Sequence, residues 1–460
     1  MTHELSRREL AASAVVAAAG LSGSADGLGD APMKLGLGPH LLLDDVLIET
    51  SQGLERVVTP PDRLPEPVVT GPEDKCFQPY VTVLREPGGR FRIWYGVPES
   101  ASQSHLATMA SDDGVHWERP HRVLPDPGHI QFGVSILDDG ARERDPARRF
   151  KYGYWDDGGL QIATSPDGLD WTRVAGGPVI RHDHDINSIH WDPIRKRYLA
   201  LVSSYTTGPT WTGQRRIPMQ SVSDDLVHWR EPWRVITPEA DDPGEMQFYC
   251  MSGVLARGGL LIGLVKVLRD DLKVENAPPG GYGLGYTTLA WSRDGERWTR
   301  DRTPFMDRNP RVGAWDHAMA WGDCQLLVGD RAYIYYGGYA RGHKVERFME
   351  RQIGLARMPR DRYVARRAGE DAGTLRTPLL LPSGTSLTVN AAVAGELTVC
   401  LLDAAGKPLP GYTHAECVAV RGDGISLPLR WRRRPRLPAG KPARLEVRLR
   451  QGSLWALDLA

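Results

Sequence analysis

Ser111-Asp112-Asp113-Gly114-Val115-His116-Trp117 recurs, with substitutions, three more times along the chain. The other copies are Ser165-Pro166-Asp167-Gly168-Leu169-Asp170-Trp171, Ser223-Asp224-Asp225-Leu226-Val227-His228-Trp229 and Ser292-Arg293-Asp294-Gly295-Glu296-Arg297-Trp298. Every copy keeps the serine, an aspartate two residues on and a closing tryptophan. Asp-Gly favours a tight turn, because glycine accepts positive φ and aspartate bonds its own backbone. The serine and the tryptophan then belong to adjoining strands, with the indole covering the turn.

Each turn follows a β-branched or aromatic run, at residues 91–95, 150–155, 198–202 and 260–265. A fifth run, 333–336, leads to 353–356, where the turn motif has decayed. Another apolar strand precedes each of the five, at 80–84, 132–137, 187–191, 249–255 and 318–327. The unit is therefore four strands in about 55 to 70 residues, somewhat longer than the ~40–45 of a compact propeller blade. Five units fill residues 65–365, and no sustained 3.6-residue periodicity interrupts them, which argues against an α/β barrel. The expected fold is all-β: a five-bladed β-propeller over 38–370 followed by a small C-terminal β-sandwich over 375–460. The sandwich is read from short alternating strands near 387–389, 397–402, 427–431 and 444–449, separated by Gly/Asp/Pro turns. A ring of blades must close. The strand-like segment His40-Leu41-Leu42-Leu43-Asp44-Asp45-Val46-Leu47-Ile48 is expected to complete the last blade, giving Asp44 and Asp45 a structural role.

A chain of 460 residues exceeds the size at which single cores stop growing, which fits two folded units. Lys plus Arg number 57 and Asp plus Glu 57, so no net charge draws the chain to nucleic acid or an anionic membrane. No run reaches the ~20 apolar residues that span a bilayer. At the N-terminus, Ser6-Arg7-Arg8-Glu9-Leu10 precedes a mild Ala/Val run and a small-residue exit. This pattern is that of a twin-arginine export signal over residues 1–30, including a linker, and implies a periplasmic or secreted protein. A short amphipathic helix is the alternative, against which the glycines of 20–30 stand. The five cysteines, Cys76, Cys250, Cys324, Cys400 and Cys417, show no CxxC spacing, so neither zinc nor a disulfide framework is expected. Cys400 and Cys417 could pair if both lie in the sandwich.

In a propeller the first strand of every blade starts at one mouth of the central channel. Four of the five first strands are preceded or opened by an acid: Asp74, Asp185, Glu245 and Asp316. The second offers only Gly128-His129-Ile130-Gln131. Any one of these acids could simply cap a turn, but their common phase points to a shared site. Carboxylates in one funnel need protons, cations or substrate hydroxyls to compensate them.

Together with the repeated turns, Leu41-Leu42-Leu43-Asp44-Asp45, Phe91-Arg92-Ile93-Trp94-Tyr95, Gly313-Ala314-Trp315-Asp316, Tyr335-Tyr336-Gly337-Gly338 and Gly395-Glu396-Leu397-Thr398-Val399 carry a resemblance. Over residues 40–460 the chain resembles glycoside hydrolase families 32, 43 and 68, and above all a bacterial family-32-like group of unassigned activity. The resemblance implies hydrolysis of a glycosidic bond, such as a terminal furanoside, by paired carboxylates and without a cofactor. The chain departs from these families in lacking an Asn-Asp-Pro-Asn-Gly type of first motif and an acid on the second blade. Arg144-Asp145-Pro146 mimics a stabiliser motif but lies in a hairpin away from the mouth. A non-catalytic carbohydrate-binding propeller, or a polysaccharide lyase using a His/Tyr base, are the alternatives.

Cleavage needs one carboxyl protonated and another ionised. Glu245, beside Met246, Phe248 and Tyr249, is the expected acid by partial desolvation. Asp185, beside His184 and Asn187, is the expected base or nucleophile, with Asp74 its rival and Asp316 orienting substrate. Tyr249, Trp315, Trp211 and also Tyr282 are candidate sugar-stacking rings, and His184 a substrate contact. His182-Asp183-His184-Asp185 alternates like a metal strand, but two ligands do not make a site, and no metal is expected.

Overall fold

The computed structural model describes residues 31–100, 102–345 and 350–460. The predicted export signal lies outside them. Among the described residues helix is confined to one α-helical turn, Gly71–Asp74, and two 3-10 turns, and the rest of the regular structure is β.

Four antiparallel strands form each repeated unit. The first unit runs Gln78–Arg85, Phe91–Pro98, Ser104–Ser111, Arg122–Val123. The second runs Phe132–Asp138, Phe150–Asp156, Gly159–Ser165, Thr172–Arg173, and the third His184–Asp192, Arg197–Gly208, Trp211–Ser223, Trp233–Arg234. The fourth is Gln247–Arg257, Leu260–Lys273, Tyr282–Ser292, Thr299–Met306. The fifth has Met319–Val328, Arg331–Tyr339 and Gln352–Pro359, and its outermost strand comes from Asp62–Arg63.

The repeated turn motif docks the units on one another. Within each turn the serine Oγ accepts the backbone N–H three residues on, at 2.8–3.0 Å, and the aspartate Oδ1 accepts the next N–H, at 2.8–2.9 Å. The residue after the aspartate has φ near +70°, which glycine takes at no steric cost, and Leu226 takes it in the third copy. The exposed carbonyl is then read by a neighbouring unit. Tyr335 donates to Gly114 at 2.7 Å, Trp94 to Gly168 at 2.8 Å and Gln220 to Gly295 at 2.7 Å.

Small polar residues stitch the five first strands into a closed ring. The Thr82 hydroxyl accepts Ile136 N–H at 3.0 Å, Ser135 accepts Ile189 N–H at 2.9 Å, and Ser188 donates to the Met251 carbonyl at 3.0 Å. Ser252 donates to Asp323 at 2.9 Å, and Asp323 accepts Val81 N–H at 2.6 Å, which returns to the first unit. The ring encloses a cavity of about 190 Å³.

The second sheet has eight strands. Leu387–Leu402 and Arg444–Leu459 pair along their length, with Val420–Leu429 outside the former. Against the other side of Arg444–Leu459 lie Gly373–Arg376, Val364–Ala368 and Gly38–Leu41. Thr50–Gln52 and Glu55–Val58 extend those neighbours. Residues 40–48 therefore do not close the ring, contrary to the expectation from sequence. Gly38–Leu41 hydrogen-bonds to 456–459, Leu42 and Leu47 join the apolar core of the second sheet, and Asp62–Arg63 closes the fifth unit instead. Both boundaries of the 38–370 assignment shift accordingly, since 38–58 and 364–368 belong to the second sheet. Asp44 pairs with Arg293 and Asp45 with Arg366. All five cysteines are free thiols, Cys400 and Cys417 included.

Candidate functional site

Every first strand carries a register shift close to its start. The shifts fall between Gln78 and Val81, Phe132 and Ser135, His184 and Asn187, Phe248 and Cys250, and Gly322 and Cys324. Bulges re-aim side chains, and at this end of the ring they gather an aromatic mouth. Tyr249 stacks on Trp321 at 4.8 Å and meets the rings of His184 and His343 edge-on at 4.7 and 5.1 Å. Tyr339 packs on Trp321 at 5.5 Å. The hydroxyls of Tyr80 and Tyr249 feel the charges of Asp185 and Arg351. Burial pushes both hydroxyls well above the usual phenol range, so they stay protonated and available as donors.

A polar chain crosses this mouth. Arg216, delivered by the long hairpin 197–223, donates from Nε to His184 Nε2 at 3.1 Å and from Nη1 to Gln247 Oε1 at 2.9 Å and Asp270 Oδ2 at 3.2 Å. His343 Nδ1 meets the other oxygen of Asp270 at 3.1 Å. These partners hold the Asp270 carboxyl below its ordinary range against the opposing effect of its burial. Burial holds His184 neutral, well below the usual imidazole range. A guanidinium N–H can only donate, so His184 Nε2 is an acceptor and Nδ1–H donates to Ser203 Oγ at 2.8 Å. Asp185 Oδ1 lies 3.2 Å from that same Nε2. The Asp185 side chain is 20% exposed and that of Asp270 30%, so both reach the solvent side of the mouth.

The other expected acids are placed differently. Glu245 is 60% exposed, 3.9 Å from Arg215, so the apolar residues beside it in sequence do not desolvate it; Met246 and Phe248 turn into the core. Asp74 is buried and gripped by Arg119 Nε and Nη2 at 2.8 Å each, and Arg119 lies on the approach to the outermost strand of the first unit. Asp316 is buried beside Arg63 of the outermost strand of the fifth unit and the Tyr336 hydroxyl, each at 3.0 Å. Among the described residues no hydrogen bond or ion pair joins Asp74, Glu245 or Asp316 to Asp185. Trp315 stacks on Tyr336 at 5.4 Å, and Trp211 sits in the tip of the 208–211 turn, donating to the Thr206 carbonyl. Tyr282 is exposed at the start of its strand. Tyr249 and His184 do belong to the mouth.

Sequence reasoning missed Tyr80, Arg216, Asp270, Tyr339, His343 and Arg351. Arg216 and Asp270 had one signal, strand length: their hairpins use strands of 11 to 14 residues where the first two units use 7 or 8.

No family model and no curated protein matches the chain. Among solved structures it is similar to β-1,2-mannobiose phosphorylase from Listeria innocua, at 12% identity over 65% of this chain and 96% of that one, with a TM-score of 0.46. It is also similar to an exo-β-1,3-galactanase from Phanerochaete chrysosporium, at 11% identity over 88% and 100%, TM-score 0.42. A third is an N-acetylgalactosamine deacetylase from F. plautii, at 16% identity over 73% and 96%, TM-score 0.44. The superpositions are loose, and the functional reading is built from this chain's own residues.

Proposed function

We propose that the chain is an exported glycosidase built on a five-bladed β-propeller with a C-terminal β-sandwich, cleaving an exposed glycosidic bond such as a terminal furanoside at the aromatic mouth. One observation carries the reading: Asp185 and Asp270 flank the His184–Arg216 pair within a ring of tyrosines. Glycosidic cleavage needs one carboxyl protonated and another ionised, and Asp270, held ionised by Arg216 and His343, takes the second role and leaves the first to Asp185. Asp185 protonates the leaving oxygen. Asp270 acts as base or nucleophile. The closed ring of five first strands supports the propeller, and the narrow cavity beneath the mouth favours a terminal residue over a chain threading through. The export reading rests on the arginine pair and the small-residue segment at the N-terminus.

Purified mature protein assayed on chromogenic glycosides and on plant and microbial polysaccharides tests the proposal. Asp185→Asn should lose about 10²–10⁴-fold on substrates with poor leaving groups and much less on activated aryl glycosides, because good leaving groups depart without protonic help. Asp270→Asn should depress both. A comparable leaving-group-dependent loss in Glu245→Gln would return the acid role to Glu245. Glycan binding without product would make the chain a binding module, and unsaturated products absorbing in the near ultraviolet would make it a lyase.

A further inference from the structure

We infer that the mouth recognises an acidic sugar, with the Arg351 guanidinium as partner of its carboxylate. The inference rests on the carbohydrate reading and adds the charge of the substrate. Arg351 is 2% exposed. Its Nη2 donates to the His343 carbonyl at 2.6 Å and its guanidinium lies 4.7 Å from the centre of the Tyr339 ring. Its Nε has no hydrogen-bond partner, and among the described residues no carboxylate lies within ion-pair distance. A guanidinium is charged at every relevant pH, and a buried charge is normally paired or held for a ligand.

Two other cations near the mouth are already engaged, since Arg216 serves Asp270, Gln247 and His184, and Lys266, over the Tyr80 ring, pairs with Asp323. One positive charge is therefore left over. It belongs to the mouth through its bond to the His343 carbonyl and its place over the Tyr339 ring. Further groups there lack partners: the Tyr80 hydroxyl and both polar atoms of the Asn187 amide are buried and unsatisfied, and both residues line the cavity below. A sugar carboxylate supplies the acceptor for Arg351 Nε–H and for the Tyr80 hydroxyl, while ring hydroxyls can meet the Asn187 amide. Its single negative charge matches one unpaired guanidinium. Inorganic phosphate is a mixture of mono- and dianion at neutral pH, and the dianion would bring its excess charge beside Asp185 and Asp270.

Calorimetric titration separates the possibilities without a variant. The probes are oligosaccharides of galacturonate, glucuronate and mannuronate, their methyl esters, neutral counterparts and inorganic phosphate. Esterification removes the charge and little else. The acid forms should bind about 10- to 100-fold tighter than their esters, the range expected for hydrogen bonds to a charged group, and added salt should narrow the gap. Arg351→Gln should abolish the gap, chiefly by weakening binding of the acid forms, and Arg351→Lys should keep part of it. Equal binding of acid and ester, or binding of neutral sugars only, overturns the inference while the glycosidase reading stands. Phosphate binding without a uronate preference also overturns it. Binding of no sugar at all removes both.

Discussion

Replacing Asp74 with asparagine exchanges one carboxylate oxygen for an amide nitrogen at a site that is almost wholly buried. The carboxylate accepts Arg119 Nε–H and Nη2–H at 2.8 Å each and the Thr70 N–H at 2.9 Å. Asparagine keeps one acceptor, and its own N–H must then face a guanidinium or a backbone donor. A hydrogen bond to a charged group contributes about 1.5–3 kcal/mol, and a buried donor left without an acceptor costs about 1–3 kcal/mol. The Arg119 side chain is 31% exposed, so water takes over part of its solvation and the lower end applies. The Tyr95 hydroxyl bond to the Asp74 carbonyl survives the change. The expected loss is about 2–3 kcal/mol. In urea unfolding followed by tryptophan fluorescence this moves the midpoint down by about 1 M. Folded variant should keep the kcat and KM of the parent. An unchanged midpoint together with a kcat loss of about 100-fold or more would refute the structural reading of the Asp74–Arg119 pair and place the Asp74 carboxylate in the chemistry.

Burial pushes His182 and His343 down to about 4, whereas the unfolded chain titrates each near 6.5. The unfolded state therefore binds more protons in that window, and stability should fall as pH drops from about 6.5 toward 4, by up to about 1.4 kcal/mol per pH unit per histidine. His182→Gln should flatten that slope in urea midpoints taken across the weakly acidic range, and an unchanged slope contradicts the assignment. Arg7-Arg8→Lys-Lys should hold precursor in the cytoplasm on cell fractionation, and export equal to that of the parent removes the twin-arginine reading.

The ring was legible because its signal is local. Ser111 and Asp113 make their turn with backbone groups two and three residues away, so the motif works in any context, and four copies betray the period. The first strands likewise begin within a few residues of where alternation put them. The partner of a strand is a different kind of fact. Residues 40–48 read as a strand whichever sheet takes them, and only Asp62–Arg63 reaching Ala356 and Arg357 leaves Gly38–Leu41 free to pair with the last strand of the chain.

The same division runs through the site. The common phase of Asp74, Asp185 and Asp316 is real in sequence, yet two of the three are diverted by arginines. Arg119 and Arg63 arrive from the outer edges of their units, which no spacing rule places beside those acids. Glu245 is placed by a plainer fact: it lies in the turn ahead of Gln247–Arg257 and stays in water, while Met246 and Phe248 join the apolar core. Tyr249 reaches the mouth because the bulge between Phe248 and Cys250 breaks the alternation of side chains along the strand. Arg216 and Asp270 arrive on hairpins that outgrow those of the first two units. Mouth chemistry is thus written in strand length and register shifts, laid over a ring whose turns are written in motif. A search for further members of this architecture should therefore compare hairpin lengths on the third and fourth units before it compares the acids that open the first strands.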